Sequence, residues 1–244
     1  MKRVGNLIEQ IAGFNNLLMA YKNAAKGKRN RNYVKRFYFR LEENLLEIQE
    51  KLLSGTYKWG TYNVFEITDN KKRIIHAPQF RDRVTQHAIC AVIEPIFDRT
   101  FIDTSFACRK HKGTLAGVIA YEKAIKDKSL KYVLKCDIKK YFNSIDHEIL
   151  FTLIERKIKD KTLLIILRNL IFADNRQGIA IGNLCSQLFA NLYLNQLDVF
   201  VKCELMAKHY FRYMDDFIIL DNSKEHLQQL RTAISVFLKQ ELHL

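Results

Sequence analysis

Apolar residues recur at helical spacing early in the chain, with Leu41, Leu45, Ile48 and Leu52 on one helix face, so residues 1–60 are expected to be helical. The period then shortens to two. Residues 62–67 and 73–77 read as a strand pair joined by a turn at Asp69-Asn70, and Pro78 closes the second strand. Residues 82–97 return to helical spacing, although Pro95 must kink or end that helix. Gly113-Thr114 opens another helix reaching about residue 126. Residues 132–136 form a short apolar run, the pattern of a buried strand, and deliver Asp137 at its end. Asp146 is a good N-cap for a following helix. A long helix fits residues 186–205, which carry Leu188, Leu192 and Leu197 without Gly or Pro. Two strands, 210–214 and 217–220, then meet at Asp215-Asp216, and Ser223 caps a closing helix. This order predicts an α+β fold, a small antiparallel sheet backed by helices.

Composition narrows the class. A chain of 244 residues with 48% hydrophobic and 27% charged residues suits one large domain or two small lobes, and two prolines with nine glycines leave little room for linkers. Five scattered cysteines without a C-x-x-C pair argue against zinc and against a disulfide framework, and fit a reducing cytoplasm. Asn6, Glu9 and Gln10 interrupt any signal-like start, and no run is long enough to span a membrane, so no membrane partner is expected.

Charge points to polyanions. Forty Lys and Arg against 26 Asp and Glu give a formal +14. No acidic residue falls between Glu9 and Glu42, where Lys28, Arg29, Arg31, Lys35 and Arg36 alternate with Tyr33, Phe37, Tyr38 and Phe39. Cations for phosphates and rings for bases suit a nucleic-acid surface. The aromatics could equally point into a core.

Adjacent aspartates at a turn between apolar strands crowd like charges, which a divalent cation would relieve. Hard cations such as magnesium prefer carboxylate oxygen. Asp137, also at a strand end, could join Asp215 and Asp216 at one sheet edge. Carboxylates bridging two metals about 4 Å apart catalyse in-line phosphoryl transfer. With the basic surface, this implies phosphodiester chemistry, and leaves polymerase and nuclease both open.

Tyr213-Met214-Asp215-Asp216 resembles the Y-x-D-D signature of reverse transcriptases. Asp137 followed by Phe142 resembles the family's first palm motif. Residues 178–187, from Gly178 through Ile181-Gly182 to Ser186-Gln187, resemble its nucleotide-cradling turn and helix. The stretches 73–78 and 82–86 resemble finger motifs. The resemblance covers residues 55–244 in family order. It implies a right-hand polymerase with fingers at about 55–130 and palm at about 131–244, preceded by a basic helical extension over 1–54. It further implies two Mg2+ ions, with Mn2+ as a possible substitute, held by Asp137, Ile138, Asp215 and Asp216. Asp137, Asp215 and Asp216 would be catalytic, and Arg73, Lys71, Phe142, Ile181, Gly182 and Gln187 would bind nucleotide. Phe142 would exclude a ribose 2′-hydroxyl by bulk, so dNTPs are the expected substrates. The implied partners are template RNA, primer and cDNA, with a basic accessory protein as a further possibility.

Aliphatic-Gly-x-x-x-Ser-Gln, here Ile181 to Gln187, is similar to the enzymes of diversity-generating retroelements, which misincorporate opposite adenine. A retron or group II intron enzyme is the alternative lineage, and a catalytically silent RNA-binding scaffold the alternative class. Family members continue into a thumb where this chain has Glu241-Leu242-His243-Leu244, so the thumb is expected to be absent or truncated.

Overall fold

The computed structural model describes residues 3–69, 71–173 and 177–244, with the backbone alone at 69 and 71. Four helices come first: α1 (Ile8–Ala12), α2 (Phe14–Ala25), α3 (Asn32–Phe39) and α4 (Leu41–Leu53). A hairpin of β1 (Asn63–Asp69) and β2 (Lys71–Ala77) leads into α5 (Phe80–Asp98) and α6 (Thr114–Ile125). Strand β3 (Tyr132–Asp137) is followed by α7 (Tyr141–Ser144), α8 (His147–Glu155), α9 (Lys161–Ile171) and α10 (Leu184–Val199). A π-helical turn, Phe200–Glu204, continues α10 before β4 (His209–Tyr213), β5 (Asp216–Asp221) and α11 (Lys224–Glu241). The expected strands and helices are present, with two differences: the first helices end at Leu53 rather than 60, and β3, expected to be buried, has Tyr132, Val133, Lys135 and Asp137 exposed and Leu134 and Cys136 half-buried. Asn70, half of the expected first turn, lies outside the described residues.

Local chemistry explains several boundaries. Pro95 sits inside α5, which ends three residues later at Asp98. Proline removes the N–H that would pair with the carbonyl of Ala91, and Ala91 is exposed, so water can take that carbonyl. Ser223 caps α11 by accepting from the His226 N–H at 3.1 Å. Asp146 Oδ1 accepts from the N–H groups of Glu148 and Ile149 at 2.9 and 3.1 Å, as its N-cap assignment requires. The predicted 186–205 helix is α10 plus the π-helical turn.

The chain forms two compact units, each built from two stretches: Met1–Phe97 with Phe151–Ser186, and Asp98–Leu150 with Gln187–Leu244. Periodicity reads contiguous segments, so the expected divisions at 54 and 130 follow the sequence rather than this interleaving. The first unit buries Ile11, Leu17, Leu45, Ile48 and Leu52 with Leu163, Ile166 and Leu167 of α9. Each such side chain contributes about 1.5–3 kcal/mol of burial. Asp160 ties this unit's two stretches together. Its carboxylate caps α9 at the Leu163 N–H and accepts from the N–H groups of Leu7 and Ile8 at 2.7 and 2.9 Å.

The second unit is organised on an antiparallel sheet of order β3-β5-β4. Tyr210, Phe217 and Ile219 are buried on one face, and α11 packs on β3 and β5 with Leu227, Leu230 and Ile234 inward. Among the described residues, no helix is long and apolar enough to cross a membrane.

Candidate active site

In the second unit, Asp137 closes β3 directly opposite Asp216, the first residue of β5. Tyr213, the last residue of β4, stands opposite the same Asp216. Directly paired residues of antiparallel strands project from the same face. Asp137, Asp216 and Tyr213 therefore form one row at the end of the sheet. Met214 and Asp215 make the two-residue turn between β4 and β5, and Met214 takes a left-handed φ of +57°. The three acids that sequence reasoning selected thus lie at one end of the sheet. Asp137 and Asp216 are exposed and Asp215 is half-buried.

Among the described residues, no three His, Cys, Asp or Glu side chains are gathered closely enough to hold an ion as they stand. Like charges along one rim repel. The donor set nevertheless fits a hard divalent cation, because it is made only of carboxylate oxygen. Strand alternation turns the neighbouring Cys136 thiol to the other face.

Beyond β3, Ile138 is buried and Lys140 takes a left-handed φ of +53°, turning the chain into α7. Tyr141 is buried, and its hydroxyl donates to the Ala190 carbonyl on α10 at 2.6 Å. Burial pushes that phenol well above its ordinary pKa. Phe142 is half-buried, edge-on to the Tyr141 ring at 5.7 Å. It is thus anchored beside the Asp137 strand end. Gln187 is exposed on α10.

In the first unit, Arg73 is exposed on β2 opposite Ile67. Lys72 pairs with Glu66 at 3.1 Å. The Lys71 side chain lies outside what is described. The Ile181 carbonyl accepts from the His76 N–H at 2.8 Å, docking its loop on the edge of β2. Gly182 has φ +115°, and a Cβ there would lie 2.9 Å from the His76 carbonyl oxygen, so the position requires glycine.

Two side chains that sequence reasoning did not single out lock this loop. Gln86 of α5 donates to Asn183 Oδ1 at 3.0 Å and accepts from the Leu184 N–H at 3.0 Å. Asn183 in turn donates to the Tyr62 hydroxyl at 2.7 Å. The signal was available: two buried amides in stretches already carrying motifs.

Lys28, Arg29 and Arg31 line a cleft of about 480 Å3 with Gly27 and Asn30. Lys35 and Arg36 are exposed on α3, whose Val34 and Phe37 point inward. The aromatics of this stretch divide. Phe37 packs edge-on against Phe80 at 5.2 Å, whereas Phe39 is 90% exposed, with Tyr33 and Tyr38 also exposed.

A family model described as "Reverse transcriptase (RNA-dependent DNA polymerase)" matches residues 66–242. The group II intron-encoded protein LtrA of Lactococcus lactis subsp. cremoris is 30% identical over 174 residues, 66% of this chain and 28% of that protein. Protein YkfC of Escherichia coli (strain K12) is 26% identical over 176 residues, 66% of this chain and 46% of that protein. The chain thus spans less than half the length of either relative. Among solved structures, a chain of a partial Cas6-RT-Cas1–Cas2 complex superposes with a TM-score of 0.53 at 18% identity, covering 96% of this chain and 43% of that one, a likeness of fold. Motif order, the opposed acids and the family match agree: this chain belongs to the reverse transcriptase family.

Proposed function

We propose that this chain copies an RNA template into DNA, transferring nucleotidyl groups from dNTPs to a primer 3′-hydroxyl. The observation that carries the reading is the opposed pair Asp137 and Asp216 beside Asp215, on the end of a small sheet within the family-matched region. Asp137, Asp215, Asp216 and the Ile138 carbonyl would hold two Mg2+ ions, with Mn2+ as a substitute. When bound, such ions lower the pKa of the attacking hydroxyl and neutralise the departing oxygen. The protein's own side chains bind and orient. Arg73 offers a planar fork to the triphosphate, with Lys71 as a point-charge helper. Phe142 sets a ring against the sugar and refuses a 2′-hydroxyl. Gly182 lets backbone come close to the nascent pair, flanked by Ile181 and Gln187. The exposed cations Lys28, Arg29, Arg31, Lys35 and Arg36 would track template phosphates. The five scattered cysteines, odd in number and without a C-x-x-C pair, favour a reducing compartment such as the cytoplasm.

Within the family, Ile181 and Gln187 favour the error-prone type found in diversity-generating retroelements. An aliphatic residue supplies no hydrogen bond to restrain a mispair. A basic accessory protein is a further partner in that setting.

Primer extension on an RNA template with Mg2+ and dNTPs tests both levels. Wild type should extend, and Asp215→Asn should lose at least about 100-fold in rate while still binding template. Incorporation untouched by that substitution would remove the mechanism. Template binding without wild-type extension would favour a scaffold. Sequencing the products should show errors concentrated at template adenines, and a uniform low error rate would reject the retroelement subtype.

A further inference from the structure

Under the turn that bears Asp215 lies a fully buried ion pair. Arg212 of β4 and Asp198 of α10 are 1% and 0% exposed. The guanidinium grips the carboxylate bidentately, Nε to Oδ1 at 2.7 Å and Nη2 to Oδ2 at 2.6 Å. Tyr210 donates its hydroxyl to the same Oδ1 at 2.8 Å. The remaining nitrogen, Nη1, reaches two further acceptors: Asn191 Oδ1 at 3.1 Å and the Met214 backbone carbonyl at 3.0 Å. Asn191 is itself tied to the Ala107 carbonyl at 2.8 Å. The Arg212 backbone is equally constrained, its N–H donating to the Thr104 carbonyl and its carbonyl accepting from the Phe106 N–H.

Burying such a pair is expensive, and apolar residues of similar volume often stabilise a core as well or better. Stability alone therefore gives little reason for a guanidinium here. Its distinctive contact is the Met214 carbonyl. Met214 holds a left-handed φ of +57°, a conformation a non-glycine residue keeps only when its surroundings enforce it. Asp215 follows at once, and Asp216 one residue later.

We propose that Arg212, oriented by Asp198, is a positioning residue that holds the Met214–Asp215 turn in its left-handed form, so that Asp215 and Asp216 present their carboxylates together with Asp137. This rests on the polymerase reading above. A lysine could satisfy Asp198 or the Met214 carbonyl but not both, because it lacks the planar fork.

The test compares wild type with the paired replacement Arg212→Met/Asp198→Leu and with Arg212→Lys. Three quantities are measured: thermal unfolding, Mn2+ binding to the free protein by electron paramagnetic resonance, and kcat and KM in primer extension. The paired replacement should fold, with its Mn2+ dissociation constant raised about tenfold or more and kcat lowered by a similar or larger factor. KM for primer-template should stay within about twofold, since the substituted groups are buried beneath the turn. Arg212→Lys should show the same direction of change, and decides the matter if the paired replacement does not fold. Folded variants that match wild type in Mn2+ affinity and kcat would overturn the clamp and leave the polymerase reading intact. Wild type that neither binds Mn2+ nor extends a primer would sink the polymerase reading itself, and the clamp with it.

Discussion

Phe142 owes its position to its neighbours. The left-handed turn at Lys140 and the buried hydroxyl contact of Tyr141 hold the start of α7 beside the end of β3. If its ring screens the sugar, Phe142→Ala should raise the efficiency of ribonucleotide relative to deoxynucleotide incorporation by at least about tenfold. Competing rNTP and dNTP incorporation on one template measures this, and an unchanged ratio would assign the ring to packing. Residues of this kind were legible in the sequence. Asp137 and Asp216 each occupy a strand end and Asp215 the turn beside it, among apolar residues where an acid is costly without a purpose. Arg212 was not legible. A charged residue inside an apolar strand reads as solvent-facing until the fold reveals Asp198 across from it.

Elements were read well where a single periodicity ran unbroken, as in α4 and α10, whereas β3, whose apolar run suggested a buried strand, leaves Tyr132 and Val133 exposed. Helix α9 leaves the same kind of mark, an Asp160 N-cap followed by helically spaced Leu163, Ile166, Leu167 and Leu170, and was not among the expected elements. The docking of the 178–183 loop on β2 could not be read at all, because a backbone bond between His76 and Ile181 leaves no mark in side-chain pattern. Its consequence appears at Gly182. Gly182→Ala would meet the His76 carbonyl and demand a disfavoured φ. The strain should amount to about 1–3 kcal/mol, lowering the melting temperature by about 2–10 °C. It should also weaken dNTP use, because β2 carries Arg73. A melting temperature and dNTP KM equal to wild type would show that the loop is not held as described.

For the molecule as a whole, the excess of positive charge was the plainest signal in the sequence, yet only the structure shows which cations are available. Lys28, Arg29 and Arg31 line one cleft and, among the described residues, none of them is engaged by a carboxylate. Replacing all three by alanine should reduce the slope of log Kobs against log salt for single-stranded RNA by about 2. Titrations at several salt concentrations measure it, and an unchanged slope would place the template elsewhere. The grouping of the chain into two interleaved units lay beyond sequence pattern, since association of distant stretches depends on burial that no local period encodes.

The abreast arrangement of Asp137, Asp216 and Tyr213 makes parity, as much as chemistry, the condition for activity. Side chains in a strand alternate between faces, so removing or adding one residue within β5 would turn Asp216 under the sheet and raise Phe217 in its place. Point changes along these strands alter one contact, whereas a frame-preserving loss of a single codon dismantles the whole row. Drift in length must therefore be confined to the connections, and the three strands themselves serve as a ruler that the rest of the chain is free to vary around.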